Sequence, residues 1–181
     1  PKRRILYEAM IRESMKCINL GEFPLFKAYS LGKAQEAILI LQKLKYPVIV
    51  GNYTTSLINE VYRKYGYDIR AYNLKDVSLT MIKEGTIFVA SDKNSFGRNL
   101  KKMLGYEAKK FLGKIREIFL SGWTILSGNG IPLSGHCGYD RLLNYIKKAS
   151  PSEVYFFSYD RGSEVFLSKD LKEMGIRSKF L

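Results

Sequence analysis

The chain has 181 residues, with 30 Lys+Arg against 17 Asp+Glu and a formal net charge of +13. That length suits one domain or two small ones, and a hydrophobic content of 46% excludes a disordered tail. No apolar run reaches the roughly 18 residues a membrane span needs, so no membrane partner is expected. Two cysteines, Cys17 and Cys137, are too few for a disulfide scaffold and fit a reducing, cytoplasmic compartment. A single histidine, His136, excludes any site built from several histidines of this chain.

So basic a domain attracts polyanions, of which nucleic acid is the commonest. Thirteen Tyr and ten Phe offer stacking platforms, although most sit in strand-like runs where a core would claim them.

The periodicity predicts a helix from Arg4 to Gly21, with Ile5, Ala9, Met10, Cys17 and Leu20 on its apolar side. Phe23 to Tyr29 reads as a buried strand, after which Ser30 is expected to cap a helix from Leu31 to about Lys45. Tyr46-Pro47 breaks that helix, and Val48-Ile49-Val50 is a β-branched strand ending at Gly51. A helix from Ser56 to Tyr65, a short strand from Ile69 to Tyr72 and a short helix from Asp76 to Lys83 follow. Thr86 to Ala90 is the clearest strand of the first half, and Ser91 to Arg98 reads as a polar loop. Asn99 to Leu112 reads as a broken helix, and Ile115 to Leu120 and Ile131 to Leu133 as strands. A helix from Tyr139 to Ala149, a strand from Val154 to Phe157, a helix from Ser163 to Met174 and a strand from Ile176 to Phe180 complete the chain.

Strands alternate with helices almost throughout, which predicts an α/β fold with a mainly parallel sheet flanked by helices. Binding sites of such sheets lie beyond the carboxyl ends of the strands, here after Tyr29, Val50, Ala90, Leu120, Leu133 and Phe157. In the first of these loops Ser30, Gly32 and Lys33 suit a phosphate, because a helix start offers free N–H groups and Lys33 adds a cation. The loop is not a Walker loop, since the spacing G-x-x-x-x-G-K-[ST] is absent. In Ser134-Gly135-His136-Cys137-Gly138 small residues let a ligand approach the backbone, and His136 is the candidate catalytic group. His136 and Cys137 alone are too few for zinc, which takes three or four protein ligands. Ser91 opens a further polar strand-end loop. Ser158 to Gly162 reads as a turn, and Lys101, Lys102, Lys109 and Lys110 as an exposed basic strip.

In combination these residues resemble the β-CASP branch of the metallo-β-lactamase superfamily, which includes mRNA 3′-end-processing and DNA-crosslink-repair nucleases. Ala28-Tyr29-Ser30-Leu31-Gly32-Lys33-Ala34-Gln35-Glu36 is similar to the family's strand-to-helix pattern, and Ile58 to Gly66 to the helix that follows. Phe119 to Trp123 resembles the strand ending in S-G-W. Leu133 to His136 resembles motif B, and Pro151 to Gly175 the closing strand, loop and helix. The resemblance implies a β-CASP-like domain over residues 1–113, then the C-terminal half of a metallo-β-lactamase-type domain over residues 114–181.

The family's H-x-H-x-D-H metal motif is absent from these residues. The motif C histidine ligand is replaced by Ser158, and no metal ligand is assigned. The resemblance therefore implies a nucleic-acid-binding protein, on RNA or DNA and single-stranded, without a complete metal site and inactive alone. The expected anion contacts are Ser30, Gly32, Lys33, Ser91, Ser134, Gly135 and Gly138, with no cofactor held by this chain alone.

Two rivals stand beside that reading. One is an active metal-dependent exo- or endonuclease, a fragment or subunit in which a missing metallo-β-lactamase half or a partner chain completes a zinc site beside His136. The other is a protein-interaction scaffold. The apolar segments Ile115–Leu120 and Val154–Phe157 call for cover on both faces, for which a homodimer or a partner chain is the expected source.

Overall fold

A computed structural model describes residues 3–82, 85–124, 128, 130–157 and 161–180, with the side chains of 161–164 excepted. The chain forms two compact units, Pro1–Gly135 and His136–Leu181. The fold is α/β, as the alternation of elements predicts.

In the first unit, helix α1 (Arg3–Asn19) leads into strand β1 (Phe23–Lys27). There follow α2 (Lys33–Leu41), β2 (Val48–Val50), α3 (Tyr53–Lys64), β3 (Tyr72–Asn73), β4 (Ile87–Ala90), α4 (Lys93–Leu104), α5 (Ala108–Leu112) and β5 (Ile115–Phe119). The five strands form one sheet in the order β3-β2-β4-β1-β5, and every pairing is parallel. Ile115–Phe119, which the resemblance assigns to the second part, thus pairs along β1 as the edge of the first unit's sheet.

The central strands are apolar on both faces, as a doubly covered parallel sheet requires. Phe26, Val48, Val50, Ile87 and Val89 face one core with residues of α1 and α2, including Met10, Cys17, Ile38 and Leu41. Leu25, Ile49, Phe88 and Ala90 face the other, with Phe96 and Leu100 of α4 and Ala108 of α5. The connection after β2 runs through α3, whose Tyr62 packs on the first core. The connection after β3 brings Leu74, Val77 and Ile82 to the second. The chain therefore leaves neighbouring strands β2 and β3, and likewise β2 and β4, toward opposite faces, which opens a crevice at the carboxyl ends.

Several expected elements change on folding. Ser30 does not cap α2: Gly32 is the N-cap, at φ 76°, and the helix starts two residues later than a Ser30 cap implies. Only glycine enters that left-handed region at little cost. The strand expected at Ile69–Tyr72 shortens to Tyr72–Asn73, and the helix expected at Asp76–Lys83 becomes two 3₁₀ turns, Leu74–Asp76 and Leu79–Met81. Ile131–Leu133 is reduced to one parallel bridge, Leu120 to Ile131. The polar loop expected at Ser91–Arg98 is largely the first half of α4. Asp92 caps it, accepting the Ser95 N–H at 2.7 Å and the Ser95 hydroxyl.

The second unit contains α6 (Tyr139–Ala149), β6 (Glu153–Phe156), α7 (Arg161–Glu173) and β7 (Arg177–Phe180). Strands β6 and β7 pair in parallel around α7, over a core of Ile146, Phe156, Leu167 and Leu171. Tyr155 and Phe157 point away from that core and are exposed. The Tyr139 hydroxyl donates to Asp170 at 2.7 Å, and this carboxylate pushes the phenol up to about 12. Among the described residues no helix is long and apolar enough to cross a membrane.

Candidate nucleic-acid interface

The turn after β1 joins two of the expected site residues, Ser30 and Gly32, into an internal network. Gly32 donates its N–H to Gln35 Oε1 at 2.7 Å. The Gln35 amide then donates to the Ser30 carbonyl at 3.1 Å and to Asn59 Oδ1 at 2.8 Å. The Ser30 hydroxyl accepts from Asn52 Nδ2 at 2.9 Å, which ties the turn after β1 to the turn after β2. Glu36 accepts from Tyr7 at 2.6 Å and pairs with Arg3, which anchors α1 on α2.

Lys33 lies beneath this turn and is only 5% exposed. Its ammonium donates to the Leu120 carbonyl at 3.0 Å and stands 4.8 Å from the centre of the Tyr29 ring. Burial holds its pKa below the ordinary lysine value, and the Glu36 carboxylate offsets part of that shift. Ser134 and Gly135 close over the same place. A Cβ on Gly135 would stand 3.7 Å from Lys33 Cε, one on Gly122 would meet the Ser134 side chain, and Arg3 Nη2 donates to the Ser134 carbonyl at 3.4 Å. Ser30, Gly32, Lys33, Ser134 and Gly135 are thus brought together, with Lys33 binding the end of β5 to the start of α2.

Ser91 is exposed at the end of β4, on the strand between β1 and β2. His136 and Gly138 begin the second unit, both exposed, with Gly138 as the N-cap of α6. Ser158 lies outside the described residues. Cys17 is fully buried, and burial pushes its thiol up. Among the described residues no three His, Cys, Asp or Glu side chains come together as metal ligands. The described residues therefore do not fit a zinc centre.

Sequence reasoning passes over the aromatic rim. Tyr29 after β1, Tyr53 after β2 and Trp123 after β5 are 71%, 66% and 67% exposed. With strands about 4.8 Å apart and the order β2-β4-β1-β5, three ring-bearing turns follow one another along one edge of the sheet. Large apolar surface held in water at a strand-end edge is a surface available for contact. The signal was present in the sequence as an aromatic within four residues of each of these strand ends.

The comparisons with known proteins are sparse. The chain matches no family model. It is 23% identical over 163 residues to a protein of Opitutus terrae named as a probable DNA ligase. The matched region is 86% of this chain but 14% of that relative, so the chain spans about a seventh of the relative's length. At that identity and coverage the likeness assigns neither a family nor an activity.

A second group of residues, also outside the expected site, lines a cavity of about 340 Å³ in the crevice between the turns after β2 and β3 and helix α4. Asn52, Tyr53 and Ser56 come from the first turn, Asn73, Leu74 and Lys75 from the second, and Asn99, Lys102 and Met103 from α4. Asn99 Nδ2 donates to the Gly51 carbonyl at 2.9 Å. Gly51 is needed there because a Cβ would meet the Phe96 ring at 2.4 Å and force α4 away.

Proposed function

We propose that this chain binds single-stranded nucleic acid along the carboxyl-end edge of its parallel sheet, and that it descends from the β-CASP nucleases without their complete metal site. The observation that carries the binding reading is the set of exposed aromatics, Tyr53, Tyr29 and Trp123, at the ends of β2, β1 and β5 on one edge of the sheet, in a chain with net charge +13. Bases stack on such rings without sequence preference, while a basic surface holds the backbone. Ser30, Ser91 and Ser134 stand beside the rings as hydrogen-bond donors to phosphate or sugar. Lys33 acts from below, fixing the turn that carries Tyr29.

The relationship to β-CASP proteins is supported by where the similar segments lie. The strand-to-helix pattern spans the turn from β1 to α2, the S-G-W segment closes β5, and the Ser134–His136 segment precedes α6. The Opitutus relative is named for work on DNA, which agrees with a nucleic-acid role, but its name covers a far longer protein. Ligation is not part of the proposal.

The test is fluorescence anisotropy of a labelled single-stranded oligonucleotide at several salt concentrations. Log affinity is expected to fall linearly with log salt, by about 0.7 per phosphate contacted. No salt-dependent binding to RNA or DNA would overturn the reading. The same oligonucleotides incubated with the protein and added zinc or manganese should remain intact; metal-dependent cleavage by the chain alone would overturn the claim of an incomplete metal site.

A further inference from the structure

We infer that the cavity between the turns after β2 and β3 and helix α4 is a binding site for a nucleoside phosphate. The site shares Tyr53 with the aromatic edge but is argued from different residues. Its volume, about 340 Å³, lies at the low end of the range for small-molecule sites, about 300–1,000 Å³. It sits where the chain leaves β2 toward one face of the sheet and β3 and β4 toward the other, the place where open parallel sheets bind ligands.

The lining matches the parts of a nucleotide. Val50, Leu74 and Met103 form an apolar wall suited to a flat ring, with Tyr53 at the margin. Asn73 and Asn99 supply amides, side chains of the kind that pair with base edges, while the Asn52 amide is already held by Ser30 and Thr55. One of these groups lacks a partner inside the protein: Asn73 Nδ2 donates to Asp76 at 3.1 Å, while Asn73 Oδ1 is buried without a donor among the described residues. A buried acceptor left unmet is unfavourable, and a ligand N–H that reached it would remove the deficit.

Lys75 and Lys102 are exposed cations on opposite sides of the cavity, and no described residue lining it is acidic. They suit a phosphate. The Asn52 side chain accepts from the Thr55 hydroxyl at 2.9 Å and makes no cap bond to α3, whose first turn lies at the cavity. A small dicarboxylate would satisfy the lysines but leave the amides and the apolar wall unused.

The ligand is either a free mononucleotide or one nucleotide of a strand, and titration separates the two. Calorimetry of the whole chain with adenosine, cytidine, guanosine and uridine 5′-monophosphates is expected to show saturable binding of one per chain for at least one of them. Inorganic phosphate alone should bind at least about tenfold more weakly. Lys102→Ala and Asn73→Leu should each weaken the nucleotide by about three- to tenfold, and circular dichroism should show both variants folded.

If the same variants also weaken an oligonucleotide, the site takes one unit of a strand. If the oligonucleotide is unaffected, the site takes free nucleotides. No saturable nucleotide binding, equal binding of phosphate alone, or indifference to both variants would overturn the inference. The proposed strand edge is judged separately, by wild-type oligonucleotide binding.

Discussion

Around Lys33 the polar side chains bond to one another, whereas around Asn73 and Lys102 they line open space. Both regions lie at the carboxyl ends of the same five strands. In the first, Ser30, Gln35, Glu36 and Lys33 each meet a partner in the chain, and what they hold is the placement of α1, α2 and the end of β5. In the second, Asn73 Oδ1 is unmet and two lysines face a cavity without a carboxylate among its described lining. The first network also leaves one buried atom, Asn59 Nδ2, without a partner among the described residues, so what distinguishes the second region is the cavity and its two lysines rather than an unmet atom alone. The most motif-like stretch of the sequence is therefore built into the scaffold of the proposed edge, and the proposed contact surface is made of less conspicuous residues.

The comparison breaks most sharply at Gln35. Gln35→Leu removes the acceptor for the Gly32 N–H and the donor to Ser30 and Asn59, leaving several buried groups unpaired. At about 1–3 kcal/mol for each, a loss of about 3 kcal/mol is expected in urea unfolding. A loss under about 1 kcal/mol would show that the network is not a structural clamp.

On the cavity side, Gly51→Ala drives a methyl into the Phe96 ring. Overpacking of this kind costs about 1–3 kcal/mol, and the forced shift of α4 should also abolish nucleotide binding. Unchanged stability and unchanged calorimetry would show that Gly51 does not set the cavity.

Asp92→Ala removes the cap of α4, for an expected cost of about 1 kcal/mol. The hydroxyl and N–H of Ser95 hold the Asp92 carboxyl below the usual carboxylate range. A carboxyl depressed on folding stabilises fully above its unfolded pKa, near 3.9, and loses that contribution as pH falls through the lower folded value. The melting temperatures of wild type and Asp92→Ala should therefore differ at pH 7 and converge below about pH 4. A gap independent of pH would remove the charged cap from the account.

The smallest effect is expected at Lys33. Lys33→Met gives up the Leu120 hydrogen bond but also the desolvation of a buried ammonium, so the two largely offset within about 1 kcal/mol. Oligonucleotide affinity should change by less than about threefold. A larger loss of affinity with unchanged stability would return Lys33 to the contact surface.

The centre of the sheet was legible because β2 and β4 are apolar at every position and β1 at all but its last, and because Gly51, Gly85 and Tyr46-Pro47 punctuate them. Less legible was α4, whose start, Ser91-Asp92-Lys93-Asn94-Ser95, has the composition of a loop. Its helical spacing emerges only with Phe96, Leu100, Met103 and Leu104 on one side. The start of α2 was misplaced because Ser30 looks like a cap, while the turn actually depends on a left-handed Gly32.

Of the candidate site, the gathering of Ser30, Gly32, Lys33, Ser134 and Gly135 followed from their positions at strand ends. Burial of Lys33 did not follow, because it depends on the Leu120 carbonyl, 87 residues away. The cavity was illegible for a related reason: residues near 52, 73 and 99 meet only through the strand order β3-β2-β4.

The chain carries a single tryptophan, Trp123, and it stands on the proposed edge. Titration of the protein with a single-stranded oligonucleotide, followed by tryptophan emission, therefore reports on that edge alone. The account predicts saturable quenching with the same midpoint as the anisotropy, as bases stack on the indole. Binding seen by anisotropy with no change in Trp123 emission would contradict it.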